Sequence, residues 1–481
     1  MTNSEPRCCV AARWEVSGDM AADSSKVLTF PQGFQWGAAT SSYQIEGAAD
    51  ADGRGPSIWD AFAGEPGRIA DGTSGAVACD HYHRYDSDVA LMKSLGLDTY
   101  RFSVAWPRIM ANGTGPVNTA GLDFYDRLVD ELLNAGITPM PTLYHWDLPQ
   151  ALEEGGGWVS RDTASAFGDY VEVVVSRLSD RVSRWATLNE PFVSANHGYV
   201  TGEHAPGRTS MADGMAASHH LMLAHGLAQE RIRSSAPDQD VTIVLNFTPT
   251  EAATGDPADV ERALHVDNLE NRWYIDPLTG RGYPQETAEF FEWDQAEVRD
   301  GDLDLISAPI SHLGVNYYTR EIISASGYVA APDTPKNTMG WELHPPSLGR
   351  LLRWLHSAYQ FPGYTITENG CPMPDGVRNE HGQIQDDDRI DFVRDHLSEV
   401  HSAIEDGVPV HGYMVWSLFD NFEWAWGYGP TFGIVEVDFE TLERRPKKSA
   451  DWYAEVIRAN GYALPEEPVS YKPWVSFEPT W

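Results

Sequence analysis

Residues 364–370 read YTITENG, a run of β-branched and aromatic residues that ends in an acid, an amide and a glycine. The run suits a buried strand, and its polar end is either solvated or placed for a purpose. Seven other stretches share the form: FQWGAATS (34–41), TYRFSVAW (99–106), ITPMPTLYH (137–145), RWATLN (184–189), VTIVLNF (241–247), HLGVNYY (312–318) and GYMVWSLFD (412–420). Helix-period segments lie between most of them. Two examples are DHYHRYDSDVALMKSLG (80–96) and TAGLDFYDRLVDELLNAG (119–136), each closed by a Gly that suits a helix C-terminus. Eight strands with helical crossovers predict a single (β/α)₈ TIM barrel with extended βα loops, in the α/β class. A doubly wound open sheet is the alternative, and it would carry a Gly-rich phosphate turn after an early strand. None is found there.

Several of these stretches end in similar residues. Arg101 lies within the second; the third ends in His145 and Trp146, the fourth in Asn189 and Glu190, the sixth in Asn316, Tyr317 and Tyr318. The seventh ends in Glu368 and Asn369, and the eighth carries Trp416 and leads into Asp420, Asn421, Glu423 and Trp424. In a barrel these ends converge on one face, where active sites of this architecture sit.

Two carboxylates entering one cavity, Glu190 and Glu368, are what cleavage of a glycosidic bond needs. One protonates the leaving oxygen, and the other attacks the anomeric carbon or activates water there. Trp416 and Trp424 offer flat faces to a sugar ring, while Gln44, His145, Asn189 and Glu423 offer hydrogen bonds to its hydroxyls. A positive charge from Arg101 and a hydroxyl from Tyr318 would favour the ionised form of Glu368. Glu190 has no cationic neighbour in sequence, so facing that charge it should hold its proton. Asn189 and Glu190 are adjacent, and a regular strand would send them to opposite faces. A bulge or strand end is therefore expected there.

Composition excludes other classes. With 34 Lys and Arg against 71 Asp and Glu, the formal charge is −37, which repels nucleic acid and anionic membrane. No apolar run approaches the roughly 20 residues that cross a bilayer. Residues 1–19 lack the apolar stretch of a secretory signal and read as an upstream extension before a natural start at Met20, leaving 20–481 as one catalytic domain. A reducing, cytoplasmic setting fits Cys8, Cys9, Cys79 and Cys371, which show no metal-type spacing. The chain is expected to need no cofactor and no metal. HYH (81–83), His219, His220 and His225 read as packing or capping residues. GYGPTFG (427–433) reads as a turn over the site with Phe432 as a wall, and DDDR (386–389) as a helix N-terminus with solvated acids.

These blocks together resemble family 1 of the glycoside hydrolases, the retaining β-glucosidase family, from about Phe30 to about Trp452. The resemblance is carried by FQWGAATSSYQIEGA (34–48), YRFSVAWPRI, LYHWDLPQAL, TLNEP (187–191), GVNYYT, ITENG (366–370) and WSLFDNFEWAWGY, in order along one chain. It implies Glu190 as acid/base and Glu368 as nucleophile, with Arg101, Asn316 and Tyr318 orienting and ionising the latter. It further implies Asn189 on the sugar 2-hydroxyl, Gln44, His145, Glu423 and Trp424 on the other hydroxyls, Trp416 as platform, and Trp341 of TMGWE on the aglycone side. The family's thioglucosidases carry Gln where this chain has Glu190. Its 6-phospho-glycosidases usually have Ser where Glu423 stands, and an acid there would repel the phosphate. Tyr364, Thr365 and the Cys371–Pro372 pair depart from the family's usual residues around the nucleophile. The implied substrate is a small β-glucoside or β-galactoside, or an oligosaccharide, handled by a monomer or homo-oligomer. A non-catalytic carbohydrate-binding barrel and a transglycosylase on the same scaffold are the alternatives.

Overall fold

The structure is a computed structural model, which describes residues 27–331 and 334–465. The extension expected over residues 1–19 lies outside the described residues. Eight parallel strands close into a barrel in chain order: β1 Gln35–Ala39, β2 Thr99–Ser103, β3 Thr138–Tyr144, β4 Arg184–Asn189, β5 Asp240–Phe247, β6 Leu313–Tyr317, β7 Tyr364–Asn369 and β8 Val410–Trp416. Each coincides with a stretch read from sequence, β8 beginning slightly earlier than expected. The departures at Tyr364 and Thr365 leave β7 in place: both residues are buried and in register against β6, while the pairing with β8 shifts by one residue between them.

The barrel interior is filled, not hollow. Ala39, Met140, Ala186, Val244, Met414 and Trp416 form a cluster inside it, joined at the upper end by Phe432 and, at its edge, by Tyr318 and Trp341. A larger core lies between the strands and the surrounding helices. His81–Leu95 and Thr119–Ala135 are helical as read, and their closing glycines Gly96 and Gly136 adopt φ of +80° and +82°. That left-handed conformation is open to Gly at little cost, which is why the helices stop there.

The βα connections are long. Segments following β5 and β6 build a small sheet from Thr250–Ala252, Glu321–Ser324 and Gly327–Tyr328. At the other end of the barrel, Val27–Thr29 pairs antiparallel with Gly461–Ala463 and ties the two ends of the described chain together.

The histidines of interest have protein partners: His81 meets Asp88 at 2.7 Å, His219 meets Asp302 at 3.1 Å, and His225 meets the Thr187 hydroxyl at 2.7 Å. No helix among the described residues is long and apolar enough to cross a membrane. One expectation is corrected. The helix Asp387–Glu405 does begin at DDDR, but the acid that precedes it, Asp386, is buried and so is Arg389. They pair at 2.9 Å, and Asp386 also accepts from the Ser449 amide at 2.8 Å and hydroxyl at 2.6 Å. The helix start is packed beneath the 447–449 segment, so its first carboxylate serves a buried network instead of solvent.

Candidate active site

The end of β7 explains YTITENG. Strict alternation after Thr367, whose hydroxyl donates to the Asn316 side chain inside the barrel at 2.7 Å, would send Glu368 outward to the helices. The register with β6 instead shifts between Ile366 and Glu368, and Glu368 turns in. Asn369 fastens the strand end: its amide donates to the Tyr317 carbonyl, and its side-chain oxygen accepts from the Tyr413 hydroxyl, both at 2.7 Å. Gly370 follows because a Cβ there would lie 1.6 Å from the Trp416 carbonyl oxygen. The acid is thus mounted on a strand whose flanks are locked to both neighbours.

Glu368 receives two strong donors. The Arg101 guanidinium meets one carboxylate oxygen at 2.5 Å and the Tyr318 hydroxyl meets the other at 2.6 Å. Arg101 is fully buried and fixed by further bonds to the Asn189 side-chain oxygen (2.7 Å) and the Thr142 hydroxyl (3.0 Å).

Glu190 enters from β4. The β4–β5 register shifts between Ala186 and Asn189, and Glu190 then adopts φ +46° at the strand end, so the bulge expected from adjacency is present. Asn189 and Glu190 therefore both reach the site. The sole side-chain hydrogen bond to Glu190 among the described residues is from the Asn316 amide, at 2.7 Å. Trp146 braces this turn by donating to the Asn189 carbonyl at 3.0 Å.

The Asn189 amide can be oriented from its partners. Its oxygen takes Arg101, so its nitrogen faces His145 Nε2 at 3.1 Å, which must accept. Burial and nearby Arg101 hold His145 well below its ordinary pKa, so the ring is neutral with its proton on Nδ1. That N–H is buried and has no protein partner among the described residues.

Electrostatics separate the two acids. Burial first, then the charge of Glu368, pushes Glu190 up to about 8. Burial raises Glu368 also, but Arg101, the Tyr318 hydrogen bond and Asn316 oppose it, so Glu368 is the first of the pair to ionise. Glu423 is likewise pushed up to about 8 by burial and by Glu368. Its neighbour Gln44 is clamped by donating to the Asn421 side chain and the Phe422 carbonyl, both at 2.9 Å, and to Glu423 at 3.2 Å.

The aromatic residues form the remaining walls. Trp416 stacks on His145 with ring centres 5.8 Å apart. Trp424 stacks on the other side of the cluster, 6.0 Å from His145 and 4.5 Å from Trp146. Tyr318, Trp341 and Phe432 form a second group with centres 5.6–6.2 Å apart. The expected site residues thus lie in one connected cluster at the C-terminal end of the barrel.

Comparison with known proteins shows the family. The profile of Glycosyl hydrolase family 1 matches residues 26–462. The chain belongs to glycosyl hydrolase family 1. It is 45% identical over 446 residues to beta-glucosidase A of Acetivibrio thermocellus, covering 90% of this chain and 99% of that one. Among solved structures it superposes on the family 1 β-glucosidase of Thermotoga maritima with TM-score 0.88 and 41% identity, over 92% of this chain and 100% of that chain. The same Thermotoga enzyme in complex with galacto-hydroximolactam gives TM-score 0.86 and 41% identity, over 91% and 100%.

Sequence reasoning missed the residues that hold the family 1 site in shape. Thr142 and Thr367 anchor Arg101 and Asn316, and Trp59, on the short helix Ile58–Ala63, packs against Trp424 with ring centres 4.7 Å apart. The threonines had a faint signal, as polar residues within barrel strands; Trp59 had none.

Tyr318 offers a direct test of how Glu368 is kept ionised. Tyr318→Phe removes a donor that favours the charged form, so the acidic limb of the kcat/KM profile is expected to move to higher pH. The rate at the optimum should fall about 10- to 100-fold, as for loss of a hydrogen bond to a buried charge. An unmoved limb would show that Arg101 alone sets the ionisation.

Proposed function

We infer that the chain is a retaining exo-β-glucosidase in which Glu368 is the nucleophile and Glu190 the acid/base. The observation that carries the assignment is the unequal treatment of the two acids. Glu368 is held by a guanidinium and a phenol, while Glu190 has a single amide and a raised pKa of about 8.

In the first step a Glu368 oxygen attacks the anomeric carbon, the bond to the aglycone oxygen breaks, and Glu190 gives that oxygen its proton. The glycosyl ester has no charge, so the Coulombic push on Glu190 disappears and it becomes a competent base. In the second step Glu190 takes a proton from water as the water oxygen attacks the same carbon, and Glu368 leaves as carboxylate. Two displacements return the β configuration.

Asn189, fixed between Arg101 and His145, faces the 2-hydroxyl on this reading and strengthens its contact as positive charge develops on the ring. His145, Gln44, Glu423 and Trp424 take the remaining hydroxyls, Trp416 is the platform, and Trp341 and Phe432 wall the site. β-Galactosides are a second substrate class, supported by the galacto-configured inhibitor held by the Thermotoga relative. The non-catalytic reading has no support from the site, which retains both acids.

Proton NMR of an alkyl β-glucoside digest tests this. β-Glucose should appear first and mutarotate later. First appearance of the α-anomer would rule out the double displacement.

A further inference from the structure

Two small cavities flank the segment His145–Trp146–Asp147, which follows β3 and carries part of the sugar site. Each leaves about 10 Å³ of room for a water centre, enough for one molecule. The first is lined by Trp59, Tyr144, Trp146, Ser194 and His204, among others. The second is lined by Ser42, Tyr43, Glu46, Arg54, Arg108 and Asp147, among others.

The polar atoms in their walls are unusual. Trp59 Nε1, Ser194 Oγ and His204 Nδ1 line the first cavity as buried atoms that form no well-aligned hydrogen bond, with the Tyr144 hydroxyl beside Ser194. Tyr43 Oη, Arg108 Nη1 and Asp147 Oδ1 line the second in the same condition, with the Gly75 backbone beside Tyr43. Leaving such a group unsatisfied is costly, so three around one cavity of this size call for a shared partner.

We propose that each cavity binds one ordered water molecule, and that the pair positions the His145–Asp147 segment and the tryptophans packed on it. The functional half of this proposal rests on the sugar-site reading above. In the first cavity the water accepts from Trp59 Nε1–H and donates to His204 Nδ1 and Ser194 Oγ. His204 suits an acceptor role, because burial keeps its ring neutral. In the second the water accepts from Arg108 and donates to Asp147 Oδ1 and Tyr43 Oη, linking an acid and a base that make no direct bond. Each water then has three partners, the usual number for an internal water. A cation fits neither place: no carboxylate lines the first cavity, and two guanidiniums line the second.

The connection to the sugar site is short. Ser194 sits on the first helical turn after Glu190, its amide donating to the Glu190 carbonyl at 3.2 Å. Trp59 and Trp146 pack on Trp424 at 4.7 and 4.5 Å, and His204 packs on both at 5.3 and 5.5 Å. In the second cavity, Asp147 Oδ2 accepts from the Ser42 hydroxyl at 2.7 Å, two residues from Gln44.

A crystal structure of the full chain, refined where ordered water is visible, tests the binding half without reference to activity. Each cavity should hold one density peak about 2.7–3.2 Å from its three polar atoms. No peak, or side chains rearranged to bond one another, would overturn the proposal even in a fully active enzyme. For the positioning half, Ser194→Ala removes one partner and should raise KM for a β-glucoside about 5-fold, with kcat nearly unchanged. Ser194→Thr, which keeps a hydroxyl, should restore KM. A folded Ser194→Ala enzyme with unchanged KM would overturn this half.

Discussion

Glu368→Ala is expected to lower kcat/KM for an aryl β-glucoside by about 10⁴-fold or more, since it removes the proposed nucleophile. The variant should stay folded, because Arg101 keeps its bonds to Asn189, Thr142 and the Thr367 carbonyl. Azide should then restore turnover. A small anion beside Arg101 attacks from the side the carboxylate occupied, and a single displacement gives the α-glucosyl azide. Formation of the β-azide, or activity within about 100-fold of the parent, would show that the nucleophile is another residue.

Glu190→Gln should separate substrates by leaving group. A dinitrophenyl β-glucoside departs without a proton, so its bond cleavage should be little affected, while alkyl β-glucosides and cellobiose should lose about 10²–10⁴-fold. The parent's pH profile supplies the second signature. Glu190 is protonated below its pKa of about 8 and loses the proton above it, so kcat/KM should fall as pH rises through that value. In the Gln variant this alkaline limb disappears, because the amide does not titrate there. The acidic limb, set by Glu368, remains. A uniform loss across leaving groups, or an alkaline limb that persists, would remove Glu190 from the acid/base role.

These expectations depend on features of unequal legibility. The barrel was readable because its strands are short apolar runs bounded by turn signals, and the polar residues at their ends mark one face. Closure into a filled barrel followed from eight such units with helical crossovers. Glu190 and Glu368 could be named as acids at strand ends, but their inward aim could not be read for both. It comes from register shifts near the ends of β4 and β7, which depend on how neighbouring strands pair. The Asn189–Glu190 adjacency was the one local clue, since two neighbours cannot both face the same way without such a shift.

Longer-range supports were not legible. Asp386 looked like an exposed helix-start acid, and only the packing of Ser449 onto it reveals a buried network with Arg389. The same holds for Trp59, which packs on Trp424 from more than two hundred residues away in sequence, and for His204, which packs on Trp59. The raised pKa of Glu423 belongs to this group too, since burial and its proximity to Glu368 exist only in the folded chain. Residue types at strand ends report the chemistry; the third dimension decides which of them are isolated and which are paired.

The central claim is that Glu368 forms a covalent bond to the sugar. It is tested most directly by incubating the protein with a 2-deoxy-2-fluoro-β-glucoside carrying a good leaving group, followed by mass spectrometry of the intact chain and of its peptides. The fluorine slows both displacements, and the activated leaving group lets the first proceed, so the intermediate accumulates. One fluoroglucosyl unit per chain is expected, on the peptide that contains Glu368. An unlabelled chain that still hydrolyses β-glucosides, or a label on another residue, would contradict it.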